Sequence, residues 1–275
     1  MKTPTIAPEL KDAMKRLRLG PVLDTLADRI ELAEKQELPL QDFLLLILPD
    51  EISRRQTSAA RRRAENAGLD PDMVFERWDK TAKVHYDRRV LAELATLRFI
   101  EGHRNVLVLG PVGVGKTFIA HALGHLACHA GFQVKVLRAD DLLRRLRQSR
   151  MDNSRDILMT ELTTIDLLIV DDFALEPMTR DESRDVYQLF VDRNARLPTI
   201  VTSNRDTAEW LAAFDDTLLA QSAVDRFKNN AYDLVIDGES YRPRLKPVVD
   251  NEPPPAAPVV KRQTPGRRPR ARSAK

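Results

Sequence analysis

The stretch Gly110-Pro111-Val112-Gly113-Val114-Gly115-Lys116-Thr117 decides how this chain folds. It has the form G-x-x-x-x-G-K-[ST], in which glycine-rich backbone wraps a phosphate. Before it, Asn105–Leu109 (NVLVL) is a short apolar run that reads as a buried strand. After it, residues 118–130 (FIAHALGHLACHA) read as a helix. Strand, loop and helix in that order aim backbone N–H groups and the positive helix end at one point, where a polyphosphate is stabilised. Gly110 to Thr117, with Phe118 next, form the expected nucleotide-contacting set: Gly110, Pro111, Val112, Gly113, Val114, Gly115, Lys116, Thr117 and Phe118. Lys116 is expected to neutralise the β- and γ-phosphates, and Thr117 to place its hydroxyl on Mg²⁺.

Downstream, elements alternate. Residues 134–137 read as a strand, 140–150 as a basic helix carrying Arg144, Arg145, Arg147 and Arg150, and 167–170 as a fully apolar strand. A helix over 181–195, a strand over 199–202, helical pieces over 208–214 and 218–227, and a short strand over 234–236 follow. This alternation predicts an α/β fold, a parallel sheet with helices on both faces. Asp171 and Asp172 stand directly after the apolar strand. In such a sheet, strand ends face the crevice beside the phosphate loop. Asp171 is therefore a candidate metal ligand, and Asp172 a candidate general base for the attacking water. Asn204 ends the next strand and is placed to orient that water. His121, His125 and His129 recur every four residues on the loop's helix; lacking a complete ligand set, they read as packing or solvated residues. Trp78 and Trp210 read as packing anchors.

Upstream, residues 10–35 have apolar positions at helical spacing, broken by Gly20-Pro21 into two helices. Pro39 opens a third, and Pro49 is expected to bend or end it. Arg54, Arg55, Arg61, Arg62 and Arg63 follow on a helical stretch running to Gly68, as a solvated face or a phosphate contact. The expected organisation is a helical domain over 1–70, a polar linker over 71–88, a nucleotide-binding domain over 89–246 opening with a helix over 89–101, and a disordered tail over 247–275. That tail interleaves prolines with Lys261, Arg262, Arg267, Arg268, Arg270, Arg272 and Lys275, either a solubilising end or a non-specific phosphate grip, the charge density favouring the second.

The chain has 275 residues, 43% of them apolar, and a net charge of only +3. Its isoelectric point of about 9.0 makes local charge more telling than the total. Cys128 is the single cysteine, so no internal disulfide can form, and a reducing, cytoplasmic location is expected. The aliphatic run over 44–48 is too short to span a membrane.

Assembled, these residues resemble the IstB-type transposition helper ATPases of the insertion-sequence-21 class, a branch of the AAA+ superfamily near the DnaC helicase loaders. The matching stretches are LATLRFIEGHRNVLVLGPVGVGKT, LLIVDDFALEP, TIVTSNRDTAEW, VDRF and IDGESYR. The resemblance implies an AAA+ three-layer sandwich with a small all-α N-terminal domain. It places Lys116 and Thr117 on Walker A, Asp171 and Asp172 on Walker B, Asn204 on sensor 1, Arg226 on the arginine finger that acts on a neighbouring subunit, and Arg242 on sensor 2. It implies ATP and Mg²⁺ as cofactors. The partners it implies are double-stranded DNA, a cognate transposase and further copies of the chain; loading of a replicative helicase is the alternative. Ala174 departs from the family, which usually has glycine there.

Overall fold

The computed structural model describes residues 5–245, in two units, Met1–Tyr241 and Arg242–Lys275. The predicted basic tail over 247–275 lies outside the described residues. In the first unit, helices α1 (Pro8–Arg16), α2 (Leu23–Lys35) and α3 (Leu40–Ala67) follow one another, with a 3₁₀ turn Gly20–Val22 at the predicted Gly-Pro break. Met14, Val22 and Leu26 form their small shared core, with Phe43 and Ile47 packed on it. Pro49 does not end α3, which runs unbroken for 28 residues. A helical proline deprives the carbonyl four residues back of its donor, here that of Leu45. Leu45 is 67% exposed, so water can serve that carbonyl. Gly68, at φ 79°, then caps the helix in the left-handed region.

Within 71–88 the chain forms a 3₁₀ turn, Phe75–Arg77, and strand β1 (Val84–Tyr86). Next come α4 (Arg88–Ala95) and α5 (Arg98–Glu101), separate because Leu97 sits at φ 62° and breaks the predicted single helix. Then follow β2 (Asn105–Leu109), α6 (Lys116–Ala130), β3 (Val134–Arg138), α7 (Ala139–Met151) and α8 (Arg155–Thr164). After these come β4 (Leu167–Asp171), α9 (Arg180–Arg193), β5 (Thr199–Ser203), α10 (Thr207–Trp210), α11 (Thr217–Asn229) and β6 (Ala231–Gly238).

The sheet order is β1-β6-β2-β5-β4-β3. Five strands run parallel, and β1 adds an antiparallel edge, with Val84 opposite Gly238 and Tyr86 opposite Ile236. Alternation along each strand splits the core in two. Leu107, Leu168, Val170 and Val201 face α7, α8, α9, α10 and α11. Val106, Val108, Leu167, Ile169 and Ile200 face α4, α5, α6 and the end of α3. The result is three layers, helix on sheet on helix, with the ends of β2, β4 and β5 opening toward one edge. Among the described residues no helix is long and apolar enough to cross a membrane.

Candidate nucleotide site

The phosphate loop joins β2 to α6, and its conformation requires glycine, as Gly113 and Gly115 show. Gly113 has φ 86°, and a Cβ there would lie 2.1 Å from the Ser240 Oγ. Gly115 has φ 98°, and a Cβ there would lie 2.8 Å from the tip of the Trp78 ring. Both approaches are nearer than any real Cβ tolerates, so the loop is clamped by the segments flanking β1 and β6. The Tyr241 N–H donates to the Gly113 carbonyl at 2.8 Å and completes the clamp. Trp78 also packs edge-on to Phe118, with centroids 5.2 Å apart, and to Tyr86 at 6.1 Å. It is a packing anchor, and what it anchors is the loop.

Lys116 is buried in the first turn of α6, and its Nζ donates to the Pro111 carbonyl at 2.8 Å. The Thr117 Oγ1 lies 3.0 Å from each carboxylate oxygen of Asp171, which is 4% exposed at the end of β4. The neighbouring strand contributes Thr202. Its hydroxyl donates to Asp171 Oδ1 at 2.5 Å and accepts the Asp172 N–H at 3.0 Å. Asp172, half-buried, sits at φ 56° immediately after β4. Two residues on, Ala174 has φ 60°, the left-handed conformation that glycine adopts without strain. Asn204 is exposed one residue past β5. Pro111, Val112 and Val114 complete the loop between β2 and α6, Val112 half-exposed and Val114 buried.

Lys116, Thr117, Asp171, Asp172 and Asn204 therefore share the edge where β2, β4 and β5 end. Arg226 lies elsewhere, exposed on α11, across the sheet from α6. Arg242, exposed, opens a 3₁₀ helix, Arg242–Leu245, in the second unit. His121 and His125 serve the fold, and His129 is exposed. His121 Nδ1 accepts the Asp70 N–H at 3.0 Å, and the His125 Nε2–H donates to the Asp70 carbonyl at 2.8 Å. Burial pulls the His121 pKa below its ordinary 6.5. Cys128 is buried, and burial pushes its thiol up to about 11, so it is inert as a nucleophile. Sequence reasoning missed Thr202 and Ser240. A hydroxyl at the end of β5 is meaningful only once β5 is known to adjoin β4, and Ser240 only once the chain after β6 is known to return over the loop.

Chemically, this edge offers glycine-loop N–H groups and a lysine for phosphate oxygens, and a hydroxyl beside a buried carboxylate. Those two are hard oxygen donors, a composition that fits Mg²⁺, which takes few protein ligands beside phosphate and water.

The model of the family described as "IstB-like ATP binding protein" matches residues 12–248. The chain belongs to that family. An ATP-binding protein of an insertion sequence in Mycobacterium tuberculosis is 36% identical over 241 residues, covering 87% of this chain and 96% of that one. The ATP-binding protein of insertion sequence IS21 from Pseudomonas aeruginosa is 34% identical, covering 86% of this chain and 90% of that one. Among solved structures, DnaI superposes with a TM-score of 0.52 at 19% identity, covering 61% of this chain and 94% of that one. DnaA from Aquifex aeolicus, solved with AMPPCP, gives 0.50 at 21% identity over 60% of this chain and 51% of that one. At such identities these two define the fold, the AAA+ P-loop fold.

Proposed function

We propose that this chain is an Mg²⁺-dependent ATPase that assembles on double-stranded DNA and recruits or regulates a transposase. The observation that carries the reading is the Lys116–Thr117–Asp171 arrangement at the strand ends, in a chain of the IstB-like ATP-binding family. The insertion-sequence relatives support transposition; the helicase-loader alternative has only a likeness of fold behind it.

In this reading Gly110 to Phe118 hold the triphosphate, with Lys116 turning from the Pro111 carbonyl to the β- and γ-oxygens. Thr117 and Asp171 would hold Mg²⁺, which when bound offsets phosphate charge. Thr202 keeps the Asp171 carboxylate turned toward Thr117. Asp172 takes the proton of the attacking water, Asn204 orients that water, and Arg242 acts as sensor 2. Arg226 reaches the nucleotide of a neighbouring copy, so catalysis depends on assembly. A transition-state arginine of this kind is worth about 10³–10⁵ in rate. The helices over 1–70 and the basic tail over 247–275 contribute DNA or partner contacts, with 71–88 joining the helices to the ATPase domain over 89–246.

The test is Mg²⁺-dependent ATP hydrolysis with and without duplex DNA, followed by binding to a transposase of the insertion-sequence-21 class. DNA-stimulated turnover and a complex are expected. Turnover indifferent to DNA, with no transposase complex, would overturn the reading.

A further inference from the structure

Four arginines on the helical layer that holds α11 are paired with carboxylates. Arg150 and Arg155 both bind Asp185, which is fully buried, and Arg147 pairs with Glu182. Arg144 pairs with Asp141. Arg226 is held differently. Its Nη1 donates to two neutral oxygens, the Tyr187 hydroxyl at 3.1 Å and the Ser222 Oγ at 2.6 Å. Its guanidinium carbon lies 5.9 Å from the centroid of the Tyr187 ring. Hydroxyls fix the direction of a guanidinium without cancelling its charge, whereas a carboxylate does both. The cation is thus exposed, oriented and left positive. Ser222 stands one turn earlier on α11 itself, so it restrains Arg226 only along its own helix. Tyr187 stands on α9 and sets the sideways direction. The hydrogen bond from Arg226 in turn draws the Tyr187 hydroxyl below the ordinary tyrosine pKa.

We infer that Tyr187 is a positioning residue for the trans-acting arginine: its hydroxyl aims the Arg226 charge at the γ-phosphate of a nucleotide bound by a neighbouring copy of this chain. This rests on the reading of Arg226 given above. The phosphate partner comes from outside the protomer because Arg226 lies in the last turn of α11, which delivers the chain to β6 beside Asn105, at the end of β2 remote from the phosphate loop.

The test is Tyr187→Phe, which keeps the ring, its packing and the cation–π contact and removes only the hydroxyl. kcat is expected to fall about 10-fold, the loss of one hydrogen bond to a charged group, with KM for ATP and Tm unchanged. Mixing Tyr187→Phe with Lys116→Ala should raise turnover above the sum of the two, since some interfaces then pair an intact loop with a fully aimed arginine. A purely structural defect gives no such gain. Wild-type kcat in Tyr187→Phe alongside an inactive Arg226→Ala overturns the role of Tyr187 and leaves the arginine finger standing. No gain in demonstrably mixed oligomers overturns it as well. Wild-type turnover in Arg226→Ala removes the finger itself, and the role of Tyr187 with it.

Discussion

The hydroxyl of Thr117 lies 3.0 Å from both carboxylate oxygens of Asp171, tying the first turn of α6 to the end of β4. Two elements separated by 54 residues of chain thereby present oxygen donors to one point, beside the lysine that closes the phosphate loop. The site's chemistry is a property of the sheet order, since β4 and β2 both adjoin β5.

Lys116→Ala is expected to weaken ATP binding by on the order of 10- to 100-fold, the loss of a cation bonded to phosphate. Titration with a fluorescent ATP analogue reads this directly. Undiminished affinity would remove Lys116 from the site.

Asp172→Asn is expected to bind ATP normally and to lose turnover by about 10²- to 10⁴-fold, because an amide cannot accept the proton of water. Steady-state hydrolysis beside analogue binding separates the two effects. Turnover at the wild-type rate would move the base elsewhere.

Much of this site was legible in the sequence. The loop, the apolar β4 and the acids after it are local patterns, and local patterns survive folding. What was illegible depended on distant partners. Residues 71–88 read as a polar linker because β1 has three residues and is a strand only against β6. That segment carries Trp78, seated on Gly115, and just before it stands Asp70, held by His121 and His125. Pro49 looked like a helix end because the exposure of Leu45 is invisible in sequence. The single helix expected over 89–101 divides at Leu97, whose left-handed backbone nothing in its side chain announces.

The Asp70 latch has a pH signature. His121 Nδ1 accepts a backbone N–H, which it can do only when unprotonated. Its folded pKa is lowered by burial, against the pull of Asp171 and Asp70. The unfolded chain therefore takes up the proton first as pH falls, so this stability is full above about 6.5 and is lost below it. Urea midpoints at about pH 7.5 and about pH 5.5 should differ in this sense, and the difference should shrink in His121→Gln. An unaltered difference in that variant would assign the effect to other groups.

Removing residues 251–275 deletes seven cations, Lys261, Arg262, Arg267, Arg268, Arg270, Arg272 and Lys275. DNA affinity is expected to fall, and the salt dependence to flatten by about 0.9 for each phosphate that the tail no longer neutralises. Affinity measured across a salt series decides it; an unchanged slope means the tail touches no phosphate.

Helix α3 begins among the N-terminal helices and ends against the phosphate-loop helix. There Leu69, just past its cap, presses on Gly124, and the Arg63 Nε donates to the Cys128 carbonyl at 2.9 Å. At 28 residues it spans about 42 Å, helical on both sides of the hydrogen bond that Pro49 leaves unmade. A load applied to its far end by a bound partner is borne by α6 as torque, and a shift of α6 swings that far end in return.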